Sequence, residues 1–166
     1  MKTIAILTSG GDAPGMNAAI RAVVKVGNYN DIEVVGIKRG YQGILDGDVE
    51  ILTCSDVDGI AEKGGTILKT ARCMEFMERA GRERAVESLK KLNIDALVVI
   101  GGNGSFMGAE KLHKLGVKVI GIPGTIDNDL AYTDYSIGFD TTLNTVLDCI
   151  SKIKDTDSSH DKTTVV

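Results

Sequence analysis

Four stretches of this chain hold residue types, at useful spacing, for handling phosphate. Residues 8–17 read Thr-Ser-Gly-Gly-Asp-Ala-Pro-Gly-Met-Asn. Glycines there leave backbone N–H groups open to an anion, and a helix N-terminus behind them favours negative charge. A tight strand-to-helix turn has the same composition, so this loop alone supports both readings. Residues 101–105, Gly-Gly-Asn-Gly-Ser, repeat the pattern, with Ser105 suited to cap a helix and to donate to phosphate. Residues 123–129, Pro-Gly-Thr-Ile-Asp-Asn-Asp, set two carboxylates two positions apart. That spacing suits a metal ion or a hydroxyl that must lose its proton, and equally an Asx-rich turn. In residues 64–73, Gly-Gly-Thr-Ile-Leu-Lys-Thr-Ala-Arg-Cys, Arg72 follows an apolar stretch. It is expected at a strand end, where a guanidinium among phosphate loops would stabilise charge in a transition state.

Other chemistries find little support. No Gly-x-x-x-x-Gly-Lys-[Ser/Thr] run occurs, and Met107 stands where a dinucleotide fingerprint beginning at Gly102 needs its third glycine. His113 reads as a solvated residue near a helix C-terminus, and His160 as a residue just before a last strand. The run Met74-Glu75-Phe76-Met77 reads as packing. The 3 cysteines, Cys54, Cys73 and Cys149, form neither a disulfide framework nor a zinc motif, which points to reduced thiols in the cytoplasm. A net charge of −4 argues against a general hold on nucleic acid or an anionic membrane. No segment is apolar for long enough to span a bilayer, and the N-terminal residues do not read as a signal peptide.

The elements that must position these loops alternate. Strands are expected at 3–7, 33–37, 96–100, 117–122 and 163–166. Helices are expected at 16–26, 57–62, 82–92, 105–115 and 141–153. Continuous apolar strands alternating with helices predict an α/β fold, a doubly wound, mostly parallel sheet with helices on both faces. The 166 residues suffice for one core, and the 20 glycines cluster after strands. Ligands of such sheets bind beyond the carboxyl ends of the strands, where the first three glycine loops converge.

Together the stretches GGDAPGMN, GGTILKTARC, GGNGS, PGTIDND, GFDTT and SSH resemble bacterial-type ATP-dependent 6-phosphofructokinases, in order along the whole chain. The resemblance implies transfer of the ATP γ-phosphoryl group to the 1-hydroxyl of fructose 6-phosphate in glycolysis, with Mg2+, in a cytoplasmic homo-oligomer that is a tetramer in the family. It implies that Asp127 is the general base, that Thr125 holds the sugar, and that Asp129 supports the metal-linked network. Gly11, Arg72, Cys73, Gly102, Asn103, Gly104 and Ser105 match ATP-binding positions, and Tyr41 a residue beside the adenine. Pyrophosphate-dependent relatives commonly carry Asp and Lys where this chain has Gly104 and Gly124, so both positions are expected to be open for a nucleotide.

The sequence also departs from the family pattern. Asn103 replaces the magnesium-linked Asp, and Lys162 replaces an Arg that reaches the sugar phosphate of a neighbouring subunit. In the effector pocket Arg21 is kept, while Lys25 and Lys154 replace arginines, and Gly59 stands where some relatives have Asp. The family's chains are longer. The resemblance therefore implies residues 1–138 as an ATP-binding domain, lacking return segments, and 139–166 as the start of the sugar-phosphate domain. The alternative reading is a non-catalytic nucleotide-binding module or an inactive truncated family member.

Overall fold

The computed structural model describes residues 2–165. Five strands form one sheet in the order β3-β2-β1-β4-β5: β1 (Lys2–Thr8), β2 (Ile32–Ile37), β3 (Val49–Ile51), β4 (Ala96–Gly101) and β5 (Val119–Pro123). β1 pairs in parallel with β2 and β4, and β4 with β5. β3 runs antiparallel on β2, so the sheet is mixed and mostly parallel. The chain leaves β1 to build β2 on one side, then returns to build β4 on the other. That reversal opens a crevice at the carboxyl ends of β1 and β4.

Both faces of the central strands are apolar, as a sheet covered on both sides requires. Side chains alternate along each strand, so Ala5 and Leu7 of β1 share one face with Leu97 and Val99 of β4. They pack under α2 (Tyr41–Asp46), α3 (Arg79–Lys91) and α4 (Asn103–Lys114). On the other face Ile6, Val98 and Ile100 meet Met16, Ile20 and Val24 of α1 (Met16–Tyr29) and the segment carrying Leu52, Val57 and Ile60. The last helix, α5 (Phe139–His160), starts at Gly138, which is in a left-handed conformation, and buries none of its residues.

Several expectations need correction. Residues 57–62 are a series of turns, because Gly59 takes φ +70° and breaks any helix there. Their apolar side chains are still used, since Val57 and Ile60 are buried. No strand forms within residues 163–165: Val165 is exposed, and no described strand offers it a ladder; residue 166 lies outside the described residues. Arg72 does not end a strand, because residues 66–74 are irregular. α4 starts at Asn103, two residues before the expected cap at Ser105, and Gly102 precedes it without a side-chain cap. α5 runs to His160, so that histidine ends a helix instead of preceding a strand. The short elements α2 and β3, and a 3₁₀ turn at Glu75–Met77, escaped the sequence reading because each is too short to show a period.

Two predictions test this architecture. Leu97 is fully buried at the centre of the sheet, so Leu97→Ala should cost about 2–5 kcal/mol, read as a lower urea midpoint with an unchanged slope. The second concerns the tie between α1 and the turns after β3. Lys25 Nζ lies 2.8 Å from Asp58 Oδ1. The hydrogen bond from Lys25 holds the Asp58 carboxyl below its ordinary 3.8, with a smaller contribution from the charge of Arg21. A depressed folded-state value stabilises the fold above the unfolded value, and this is lost as pH falls through the folded one. Lys25→Met should therefore raise the Asp58 midpoint in a carboxyl NMR titration toward its ordinary value. It should also flatten the stability loss below about pH 4.

Candidate functional site

The crevice between β1 and β4 opens into a cleft of about 740 Å³. Its floor is set by the strands. The Ser9 N–H donates to the Ile100 carbonyl at 3.0 Å, carrying the β1–β4 ladder into the first glycine loop. The Gly124 N–H donates to the Gly101 carbonyl at 3.0 Å, carrying the β4–β5 ladder into the acidic loop. Glycine is required at position 101, since a Cβ there would stand 2.5 Å from both Ser105 Oγ and the Ser9 carbonyl oxygen. The two glycine loops can lie this close only because position 101 has no side chain.

Buried polar side chains hold the irregular segment that brings Arg72 to the cleft. Asn17 donates to the carbonyls of Lys63, at 3.0 Å, and Gly64, at 3.3 Å, and accepts from the Ile67 N–H at 2.8 Å. Thr8 donates to the Lys69 carbonyl at 3.1 Å, and the Arg39 N–H donates to the Leu68 carbonyl at 2.7 Å. Backbone without a ladder is thus paired through side chains. Arg72 itself is exposed and, among the described residues, forms no ion pair, which leaves its guanidinium free for an anion.

The acidic loop closes the opposite wall. Thr125, Asp127 and Asp129 all line the cleft. Thr125 accepts from the Asp127 N–H at 3.2 Å, and its side chain abuts Gly102. Asn103 Nδ2 reaches across from the first turn of α4 to Asp129 Oδ2 at 3.2 Å. Position 103 therefore serves as a neutral partner for a carboxylate. The donor set is compatible with Mg2+ carried on a nucleotide: such an ion needs only one or two carboxylates beside the phosphates, and Asp127 and Asp129 supply them. No larger group of metal-ligating side chains occurs among the described residues.

The far end of the cleft is apolar. Tyr41 stacks on Phe76 with ring centroids 4.1 Å apart, and its hydroxyl donates to the Ser105 carbonyl at 2.5 Å. Burial raises the Tyr41 phenol well above its ordinary value, so it stays neutral and serves as wall. Met74 and Met77 are exposed at the rim, although sequence reading assigned that run to packing; only Phe76 is buried. Met107, Gly108 and Lys111 were also missed. With Asn103 and Gly104 they fall on one face of α4, at spacings of 3 to 4 residues that helical periodicity could have found.

The cleft thus gathers Gly11, Tyr41, Arg72, Cys73, Gly102, Asn103, Gly104, Ser105, Thr125, Asp127 and Asp129. Ser105 is buried, and its Oγ faces Gly10 and Gly101. Of the two glycines expected to be open, Gly104 is: a Cβ there would meet nothing within 4 Å. Gly124 is not, because a Cβ there would lie 3.0 Å from Ile100 Cγ2, and the residue does not line the cleft. Arg21 and Lys25 sit one turn apart on α1 beside Asp58, away from the cleft. Lys154 is on α5 and makes neither hydrogen bond nor ion pair with them, and Lys162 is exposed after α5. His113 bonds to the Val117 carbonyl and His160 to that of Thr156; neither lines the cleft. All 3 cysteines are free thiols, and no helix among the described residues is long and apolar enough to cross a membrane.

Among similar proteins is the ATP-dependent 6-phosphofructokinase of Clostridium acetobutylicum, 61% identical over 166 residues, which are 100% of this chain and 52% of that protein. The protein of the same name from Clostridium novyi is 62% identical over the same coverage. The chain spans about half the length of the curated relatives it matches. Among solved structures, phosphofructokinase from Saccharomyces cerevisiae superposes with a TM-score of 0.88 at 38% identity, over 96% of this chain and 25% of that one. A pyrophosphate-dependent phosphofructokinase from Marinobacter aquaeolei shares the fold, with a TM-score of 0.73 at 24% identity over 91% of this chain and 42% of that one. Residues 3–166 match the family described as phosphofructokinase, and the chain belongs to that family.

Proposed function

We propose that this chain is the nucleotide-binding half of an ATP-dependent 6-phosphofructokinase, which transfers the γ-phosphoryl group of ATP to the 1-hydroxyl of fructose 6-phosphate. The observation that carries the reading is the convergence of two glycine loops, Arg72 and the Asp127–Asp129 pair on one cleft. Two relatives named for this activity align over the whole chain, at 61% and 62% identity. In this reading the backbone N–H groups of Gly11 and of Gly102 to Ser105 cradle the phosphates at the start of α4, where the helix dipole favours an anion. The Tyr41–Phe76 stack and the rim methionines give the base an apolar wall. Arg72 stabilises charge developing on the transferred group, and Asp127 accepts the proton of the attacking hydroxyl. Thr125 holds the sugar. Asp129 would hold Mg2+ borne by the nucleotide, leaving Asp127 free as base, and the ion would supply neutralisation of charge on the phosphates.

Gly138 marks the boundary between the nucleotide-binding domain, 1–138, and the start of a sugar-phosphate domain, 139–166, in which Lys162 would reach sugar phosphate. The exposed α5 fits that division. The complete protein would be a cytoplasmic homo-oligomer of glycolysis. Arg21, Lys25 and Lys154 would belong to an effector pocket; Asp58, paired with Lys25, would compete there with an anionic effector. A second reading, a nucleotide-binding module without catalysis, is favoured by Asn103, which removes a carboxylate from the cleft.

The deciding experiment is calorimetry of ATP and ADP with magnesium, alongside an assay of ADP release dependent on fructose 6-phosphate. Nucleotide should bind the chain and lose affinity in Arg72→Ala. Turnover should be far below that of a complete enzyme, because remote sugar-phosphate contacts contribute to the transition state. Absence of nucleotide heat would reject the site, and full turnover by the 166-residue chain would reject the division of labour.

Asn103 yields a second prediction. Asn103→Asp replaces the amide that donates to Asp129 with a carboxylate facing a carboxylate. Attraction for magnesium should rise, and repulsion should loosen the loop when the ion is absent. In a full-length active background, turnover or the magnesium midpoint should shift by more than about threefold; losing one preorganised electrostatic contact typically changes rates by ~10²–10³. Smaller changes in both would mean that the position has no part in metal binding.

A further inference from the structure

The loop between β5 and α5 carries two of the three carboxylates that line the cleft, Asp12 being the third, yet the residue between the two points elsewhere. Asp127 and Asp129 line the cleft, and Asn128 does not. Asn128 takes φ +49°, a left-handed conformation that Asn tolerates better than most side chains. Its side chain spans the loop: Oδ1 accepts from the Ser136 N–H at 2.9 Å, and Nδ2 donates to the Asp134 carbonyl at 3.2 Å. The return limb is anchored. Ser136 is only 5% exposed, and its Oγ donates to the Thr125 carbonyl at 2.6 Å. The Ile137 N–H donates to the Pro123 carbonyl at 3.0 Å, closing the base of the loop against β5.

We infer that Asn128 is a positioning residue: its side-chain brace to Asp134 and Ser136 fixes the backbone that presents Asp127 and Asp129 to the cleft. The inference rests on the phosphoryl-transfer reading for the role of those carboxylates. An Asx turn that merely shaped a surface loop would need neither a buried serine across from it nor a second bond from that serine to the residue beginning the acidic run. Here the bonds join the forward limb, at Thr125 and Asn128, to the return limb, at Asp134 and Ser136. Without the brace the two carboxylates keep their chemistry and lose their fixed direction. A misplacement of about 1 Å at a reacting group costs on the order of 10²-fold in rate.

The test uses the full-length protein with two substitutions. Asn128→Gly keeps access to the left-handed conformation and removes the brace. Asn128→Asp keeps an oxygen to accept from the Ser136 N–H. Asn128→Gly should lower kcat on the order of 10²-fold, leave KM for ATP within about threefold, and speed hydrogen exchange at the Ser136 amide at least about tenfold. Asn128→Asp should keep that amide protected and hold kcat within about tenfold of the parent. A kcat for Asn128→Gly within threefold of the parent would overturn the inference. So would an equal loss of kcat in both variants, or a KM for ATP that rises in step with the fall in kcat. If Asn128→Gly does not fold, Asn128→Asp decides: kcat lost with Ser136 still protected overturns the inference, and kcat kept supports it. If the parent transfers no phosphoryl group, the functional reading fails separately, and unchanged Ser136 exchange in Asn128→Gly would still overturn the brace.

Discussion

The pairing of β1 with β4 is the constraint on which the rest of this structure depends. These strands are adjacent in the sheet and far apart in sequence, because β2 and β3 were laid down on the opposite side first. Their pairing, in register from Ile4 with Ala96 to Thr8 with Ile100, delivers two glycine loops to the same level. The next hydrogen bond beyond the ladder, from the Ser9 N–H to the Ile100 carbonyl, joins the loops themselves. A slip of one residue would invert the faces of β4 and send Val98 and Ile100 into the wrong core. Register is therefore enforced by burial on both faces, and the site inherits its geometry from the packing of Ala5, Ile6, Leu7, Leu97, Val99 and Ile100.

Against this rigid frame, Lys111 reaches the cleft from α4, while Arg72, Asp127 and Asp129 come from irregular backbone whose stretches are fixed by polar side chains. Asn17 and Thr8, both buried, hold the segment ahead of Arg72. Asn128 and Ser136 brace the acidic loop, and Asn103 ties that loop to α4. Such bonds contribute modestly when made, and the buried ones cost more when one partner is lost. They specify geometry more than they add stability. No buried side-chain donor or acceptor among the described residues is left without a partner.

The long elements were legible in the sequence because burial imprints a period. The run Ala-Leu-Val-Val-Ile at 96–100 could be little other than a central strand, and the turn at Gly116 closed α4 as expected. What failed was decided by partners that a sequence does not display. Residues 57–62 have the apolar spacing of a helix and are turns, because Gly59 adopts a conformation no helix contains. Residues 163–165 have strand composition and no ladder to join. The cleft's phosphate end was legible from glycine and carboxylate spacing. Its apolar end was not, since Met74 and Met77 look like core residues until the fold leaves them exposed beside Tyr41. Gly124 was misplaced for a related reason: its neighbour in space is Ile100, one strand away.

The charge arrangement in the cleft follows from this division between frame and loops. In the proposed function Asp127 and Asp129 both face a space that would receive phosphate, an arrangement that would repel the ligand if the carboxylates acted alone. Three features offset the repulsion. Arg72 and Lys111 bring cationic groups to the same cleft, the N-terminus of α4 aims its N–H groups there, and the Asn103 amide engages Asp129 without adding charge. Of these, only the backbone is preorganised at no conformational cost, since Arg72 and Lys111 are long side chains that lose rotamer freedom on binding. On the proposed function the glycine loops would therefore supply the directional grip on phosphate, and the side-chain cations would tune its strength. In that reading position 101 tolerates no side chain because an error in the loop moves every donor at once, whereas displacing Arg72 or Lys111 weakens a single contact.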